Sequence, residues 1–586
     1  MTPAGNAMAT ILGAWVLLGV MFAGVGFAVF AAGRLRAQAW EVVFAAFWVG
    51  WGATILFLQV WHGFFPVSAR ALVVVAAVGA AGLWAAARDV LRLVLSLPRS
   101  SPAWACGTAL AAAAGVAVVT ANVAIGPNRV WDTGLYHLQV LRWYREYAIV
   151  PGLGNLHARL AFDNSTFLYA ALLDVGVLHG WRLASGLLLV VFATEALAHV
   201  PGLIGRGASH GLALVAMLPA MGVALLDGQP AAVAPDFVLL VLAPIVTAYL
   251  LRAVTMANRT DERDLWLFSA AFLAVVGLTV KPSFAPFGVA VLGIAFWRFW
   301  RGRRRSRTWR LVVASAVLAL ASRIARSVVL SGYPLFPLPL GGLALEWRLP
   351  HASAVLLWDL IGRWARSPGL VASGSVGTWG WLPGWWIEVA QREWDFRNPA
   401  ILAVASLAMI AVARAWRRPA TKGILPLLVP APIAVAVWFA SAPDIRLGTW
   451  IVWTLAATSA AVATYAWSSG GVHRVAVYPL IVLSALWCAQ VGRIFAVQRG
   501  ITTVVSVTPH VVLGEYATAT GLVVYVPSVG LQTFDAPLPS TPYPNEHLAL
   551  RRPGDLSAGF RVVPFDDAAI VGIAEPQVAS GKAGTT

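Results

Sequence analysis

Six short runs of this 586-residue chain carry side chains able to bind, neutralise or relay a charge. The densest is Trp131-Asp132-Thr133-Gly134-Leu135-Tyr136-His137-Leu138-Gln139, followed by Asn155-Leu156-His157-Ala158-Arg159 and Asn164. Farther along come Pro235-Asp236, Lys281-Pro282, Arg323 and Arg326 with Ser331-Gly332-Tyr333-Pro334, and Pro443-Asp444-Ile445-Arg446. A carboxylate such as Asp132 can take the proton of an attacking hydroxyl. Arg323 and Arg326 are three apart and share a helix face. With Lys281 they could clamp a phosphate, since a guanidinium matches two phosphate oxygens at once. Tyr136, His137, Gln139, Asn155, His157, Arg159, Asn164, Asp236, Tyr333 and Arg446 offer further hydrogen bonds or charges to position a substrate. Structural roles compete with each of these. Asp132 and Asp236 each stand at a helix start, where capping is the usual task. Arg446 follows Asp444 by two residues and suits a local ion pair, while Lys281 and the arginines could snorkel to an interface. His137 and His157 make a weak metal pattern and read as hydrogen-bonding residues, so no cofactor is expected, with a divalent metal as the weakly supported alternative.

The elements that hold these runs are greasy. Hydrophobic residues make up 59% of the chain and charged residues 11%, against about a quarter charged in a soluble protein. The chain therefore reads as a polytopic membrane protein. Runs long enough to cross a bilayer fall near 8–32, 41–62, 67–87, 103–125, 183–204, 208–226, 236–252, 265–281, 283–299, 311–330, 400–414, 423–441, 449–467 and 475–492. Seven arginines between Arg298 and Arg310 mark a cytoplasmic loop. Arg88, Arg92 and Arg99 mark another, and Arg414, Arg417, Arg418 and Lys422 a third. The net charge of +17 is thereby assigned to inside loops rather than to nucleic acid. The apolar run from Thr166 to Leu178 is short and holds Asp174, so it reads as an interfacial or re-entrant segment. Fourteen spans with both termini outside then put every arginine-rich loop inside and all six charged runs at the outer face. Intramembrane or membrane-edge charges gathered on one side point to an anionic, lipid-linked substrate.

The chain divides into helices over 1–125, a first outer loop over 126–182, central helices over 183–330, a Trp-rich outer loop over 331–399, further helices over 400–492 and an outer tail over 493–586. The first loop is expected to hold an amphipathic interfacial helix from Thr133 to Tyr147, opened by Asp132. The loop tryptophans, Trp347, Trp358, Trp364, Trp379, Trp381, Trp385, Trp386 and Trp394, read mostly as an interface belt. In the tail, Thr502–Val507 and Leu522–Val526 read as strands, and Gly584–Thr586 as disordered. Cys106 and Cys488 both fall inside spans, which excludes an outer disulfide.

The run from Trp131 to Gln139, together with Pro151-Gly152-Leu153-Gly154-Asn155-Leu156-His157-Ala158-Arg159-Leu160-Ala161-Phe162-Asp163-Asn164-Ser165, resembles a family of bacterial multispan proteins sharing D-x-x-L-Y-H-L-Q and P-G-L-G-N-L-H-x-R-L-x-F-N motifs in an outer loop. The tail run Phe534-Asp535-Ala536-Pro537-Leu538-Pro539-Ser540-Thr541-Pro542 matches as well. Relatives carry cysteines in this tail motif where this chain has Thr533 and Ser540. That family in turn is similar to the GT-C superfamily of membrane glycosyltransferases, which place an acidic residue in the first outer loop and use polyprenyl-phosphate sugars. The resemblance implies an all-α, GT-C-like polytopic fold of about fourteen spans with a small outer tail containing some β structure. It also implies an inner-membrane location with the active face outside. The partners would be a lipid-linked sugar donor, a glycan or lipid acceptor, and membrane lipids. Asp132 would be the base and the cations would hold the leaving phosphate. Many GT-C enzymes carry two acids in this loop; Asp132 stands alone here, which argues against a bridging metal. Two other readings compete: a polymerase or ligase of lipid-linked glycans, and a transporter or flippase. A transporter should hold its charges near the midplane between repeats, and no repeat is visible.

Overall fold

A computed structural model describes residues 2–36, 39–95, 103–174, 179–205, 209–256, 260–301, 307–366, 379–416, 423–467, 472–498 and 500–573. Arg99, Arg303, Arg304, Arg305, Arg417, Arg418, Lys422 and Gly584–Thr586 lie outside the described residues. The described chain is mainly helical. In order it forms α1 (Pro3–Gly33), α2 (Val42–Trp61), α3 (Ala69–Leu95), α4 (Ala103–Ala124), α5 (Leu138–Glu146), α6 (Thr166–Leu173), α7 (Trp181–Gly205), α8 (Ser209–Val215), α9 (Leu218–Leu226) and α10 (Pro235–Thr255). There follow α11 (Thr260–Val280), α12 (Ala285–Arg301), α13 (Arg307–Ser331), α14 (His351–Arg366), α15 (Leu382–Trp385), α16 (Trp394–Ala415), α17 (Pro430–Ser441), α18 (Ile445–Ala466) and α19 (Val472–Gln498).

Twelve of these helices are long and apolar enough to cross a membrane, and two shorter apolar stretches, His210–Leu226 and Leu425–Ser441, lie among them. Each of the fourteen runs read from the sequence falls on one of these segments. The chain is a multi-pass membrane protein. Its centre is built from α2, α10, α11 and α18, whose apolar windows are mostly buried, while α3, α4 and α19 lie outside and expose their aliphatic side chains. Exposed apolar faces of that extent need lipid. Small residues let the first three helices meet backbone to backbone. A Cβ on Gly26 would strike the Ala46 carbonyl, and one on Gly50 the Phe22 carbonyl. Such close approach replaces the hydrophobic drive that is missing between helices in lipid.

The bundle has two distinct ends. At one, Gly33 lies against Leu311, Arg252 pairs with Glu41 at 2.6 Å, and Arg298 donates to the Gly423 carbonyl at 2.7 Å. Arg298 and Gly423, which flank two of the arginine-rich connections, lie at this end. At the other, Ser165 N–H donates to Thr279 O at 3.1 Å, Gly152 N–H to Val329 O at 2.8 Å, and Arg182 Nη1 to Ala124 O and Gly126 O, both at 2.9 Å. Helix α6 starts beside Thr279 and is followed by α7 beside Ala124. It therefore begins and ends at this second end, and its eight residues reach only about 12 Å. The described part of the apolar run, Thr166–Leu173, is thus a short buried helix that does not cross, while its last residues, 175–178, lie outside the described residues.

Two local expectations are corrected. The residues after Asp132 form a π turn, Thr133–His137, before α5, and Asp132 has helical φ and ψ with no cap bond. The apolar side of α5 is buried in protein, with Trp143 and Tyr144 both 1% exposed, so it is a core helix rather than one lying in an interface. In the tail, Thr502–Val507 makes no ladder. Its backbone is taken instead by helix ends: Thr502 N–H donates to Asn122 Oδ1 at 3.0 Å and Ser506 N–H to Ile125 O at 2.9 Å. The tail strands are β1 (Leu513–Ala517) with β2 (Val523–Pro527), and β3 (Leu548–Leu550) with β4 (Phe560–Val562), each an antiparallel pair.

Candidate functional site

Asp132 makes no cap bond to the π turn that follows it. Arg159 Nη1 approaches its Oδ1 at 3.4 Å, and the two side chains keep 28% and 35% exposure. A contact that long and that open leaves the carboxylate accessible. The Arg159 guanidinium also stands 6.0 Å from the ring centre of Tyr136, four residues after Asp132. Three helix ends converge on the same place. Asp236, in the first turn of α10, receives Lys281 Nζ at 2.5 and 2.7 Å on its two oxygens. Lys281 follows the last turn of α11. Asp444 caps α18, accepting the Arg446 N–H at 2.8 Å, with the Arg446 guanidinium 3.7 Å away. Tyr136 feels the charges of Asp132, Arg159, Asp236 and Arg446, and His137 those of Asp132, Lys281 and Arg159. Three carboxylates and three cations thus balance around one aromatic pair. Burial pushes the His137 imidazole down to about 4 and, aided by Arg159, that of His157 to about 3. Both rings are neutral at pH 7.

The tail roofs this cluster. Thr533 and Phe534 N–H groups both donate to the Gly134 carbonyl, at 3.0 and 2.8 Å. A Cβ at Gly134 would meet Gln532 and Phe534, so this glycine in the motif is the seat of the tail. Gln139 Nε2 donates to Phe534 O and Ala536 O, both at 3.0 Å. Asn155 Nδ2 donates to Trp347 O at 2.9 Å and Phe560 O at 3.4 Å. Gln139 and Asn155, read from the sequence as substrate-binding, are therefore spent on joining the first loop to the Trp-rich loop and the tail. Tyr543, from the tail, lies edge-on to His157 at 5.0 Å and feels both Asp132 and Arg159. His157 Nε2 is buried without a partner.

Arg323 and Arg326 are placed differently from the phosphate clamp expected of them. Both are buried, at 6% and 3% exposure, and both guanidinium groups are turned onto the first loop. Arg326 Nε donates to Asp163 Oδ1 at 2.8 Å and Nη1 to His62 Nδ1 at 2.9 Å. Arg323 donates to the Asp163 carbonyl and to Phe162 O at 3.1 Å. The shared helix face was right; the anion it meets is Asp163 of the first loop. This pairing ties α13 to the motif loop, and Asp163 holds a positive φ of 49° to do so. Tyr333 is likewise buried, its hydroxyl donating to Leu349 O at 3.2 Å. Asn164, read from the sequence as a substrate contact, is only 4% exposed, and its backbone carbonyl accepts the Phe167 N–H. Sequence reasoning passed over His62, which ends an apolar run, and Tyr543, which stands in the proline-rich stretch of the tail. Asp236 was read as a cap and proves to be the partner of Lys281.

The fold and the site together define a multi-pass helical membrane protein with a charge-balanced, tail-roofed cluster at the end opposite its arginine-rich loops. The chain matches the family model described as Domain of unknown function (DUF8201) over residues 8–453, and it belongs to that family. No curated protein and no solved structure matches it.

Proposed function

We propose that the chain is a GT-C-type glycosyltransferase acting at the outer face of the bacterial inner membrane. It moves a sugar from a polyprenyl-phosphate donor to a glycan or lipid acceptor. The observation that carries this reading is the partly exposed Asp132 carboxylate, without a cap bond and 3.4 Å from Arg159, in a cluster around Tyr136 and His137 whose other cations, Lys281 and Arg446, pair with Asp236 and Asp444. Asp132 takes the acceptor hydroxyl proton as that oxygen bonds the anomeric carbon. The bond from that carbon to the carrier phosphate breaks, and the phosphate leaves with its electron pair. Lys281, Arg159 and Arg446 answer the developing charge, which is where electrostatic stabilisation counts most. Tyr136, His137, His157 and Tyr543 shape the sugar and acceptor side. Arg323 and Arg326, consumed by Asp163, act beneath the site.

The test is Asp132→Asn, which keeps size and removes the base. Transfer, read as incorporation of labelled sugar from a polyprenyl-phosphate donor at equal membrane abundance, should fall by about a hundredfold or more. Near-normal transfer would remove Asp132 as base.

A further inference from the structure

A second polar cluster lies at the opposite end of the bundle. Glu41 precedes α2, His199 lies in the last turns of α7, and His210 opens α8. Their ligand-capable atoms all lie within 4.8 Å of one another, and Glu41 and His199 are buried. We propose that Glu41, His199 and His210 form a binding site for a divalent cation of the zinc class, joining the ends of α2, α7 and α8.

The geometry supports this in three ways. A zinc ion holds nitrogen and oxygen ligands at about 2.0–2.2 Å, so its ligands sit about 3.4 Å from each other in a tetrahedron. Side chains already within 4.8 Å need to close by about 1.4 Å at most. Next, a cation already sits at this place: Arg252 Nη1 is 2.6 Å from Glu41 Oε1 and 3.2 Å from His210 Nε2. A guanidinium only donates. His210 Nε2 is therefore the unprotonated nitrogen, with its lone pair aimed at the cation, which is the tautomer a metal needs. Finally, the arginine has somewhere else to go. Glu262 lies 3.6 Å from Arg252 Nη2, and the Trp266 ring centre 4.2 Å from its guanidinium carbon. A metal can displace Nη1 while the charge remains paired with Glu262 and stacked on Trp266. Trp40, 5.2 Å from the His199 ring, shields the third ligand. Imidazole and carboxylate donors in this mixture favour zinc over magnesium or calcium, which select oxygen alone.

The site is independent of the transferase reading, and its failure would leave that reading untouched. The test uses the purified full chain in detergent, stripped with chelator and titrated with Zn2+ alone. One Zn2+ per chain should remain after gel filtration, and Glu41→Gln, His199→Asn and His210→Asn should each weaken binding at least tenfold. Arg252→Gln should strengthen it, because a competing cation is gone. Should the variants fail to fold, Co2+ on the wild-type chain decides the matter. Four-coordinate nitrogen–oxygen ligation gives strong visible absorption that Zn2+ then bleaches stoichiometrically. A wild-type chain that keeps no Zn2+ and shows no such absorption, or ligand variants that bind Zn2+ as tightly as wild type, would overturn the proposal.

Discussion

Lys281 and Asp236 are bonded to each other at 2.5 and 2.7 Å while retaining 21% and 28% exposure. Breaking one partner of a partly buried pair strands the other charge, whereas removing both is milder. Lys281→Met is therefore expected to lower thermal stability more than the double Lys281→Met/Asp236→Asn. If Lys281 also answers the leaving phosphate, the double variant should regain stability without regaining transfer. A melt and a transfer assay on the same three proteins separate the two roles. The histidines make a pH prediction. His137 and His157 are held at about 4 and about 3 by burial, below the 6.5 of an unfolded chain. Above 6.5 neither state binds the proton and stability is flat. Below it the unfolded chain takes up protons that the fold refuses, so stability falls. The loss is at most about 1.4 kcal/mol per pH unit for each ring and ends near the folded values. Melting temperature should drop between pH 6.5 and pH 4, and drop less in His157→Asn.

At the scale of elements, the first loop and the tail lock through two glycines. Gly152 has φ 65° and Gly559 φ 93°, and a Cβ on either would strike the other segment's backbone, at Phe560 O and Pro151 O respectively. Phe560 N–H donates to Pro151 O at 3.0 Å in the same seam. Gly152→Ala should thus cost at least the roughly 1–2 kcal/mol of the left-handed conformation, with the steric term added. The tail should become sensitive to limited proteolysis while the membrane helices stay intact. A tail as resistant as wild type would show that the seam relaxes around the methyl group. The same logic explains why the motif loop looked catalytic throughout. Gln139 and Asn155 are polar in a greasy chain because they satisfy carbonyls of other segments; a buried carbonyl left unpaired is costly.

At the scale of the whole molecule, the charge pattern sets orientation. If arginine-rich loops stay inside, then Trp131, which is 55% exposed beside the site, faces outward. In a background lacking Cys106 and Cys488, Trp131→Cys should react with an impermeant thiol reagent added outside, and Arg307→Cys only after permeabilisation. The reverse pattern would invert the chain and move the proposed transferase chemistry to the cytoplasm.

The sequence by itself determined the helical membrane class, the position of each apolar segment and the segregation of charge to the two ends. These follow from local composition: about twenty apolar residues must span, and arginine must stay out of lipid. It also singled out the loop that carries Asp132. Partners were decided by tertiary structure alone. Arg326 meets Asp163 across 163 residues, Lys281 meets Asp236 across 45, and Gln139 meets Phe534 across 395. No local pattern encodes those distances. A charge at a helix end must find a counter-charge or a phosphate, and which it finds depends on how the ends of separate helices are brought together. That is why Arg323 and Arg326 passed from the site to its foundation, while Arg159 pairs with Asp132 and Arg446 with Asp444.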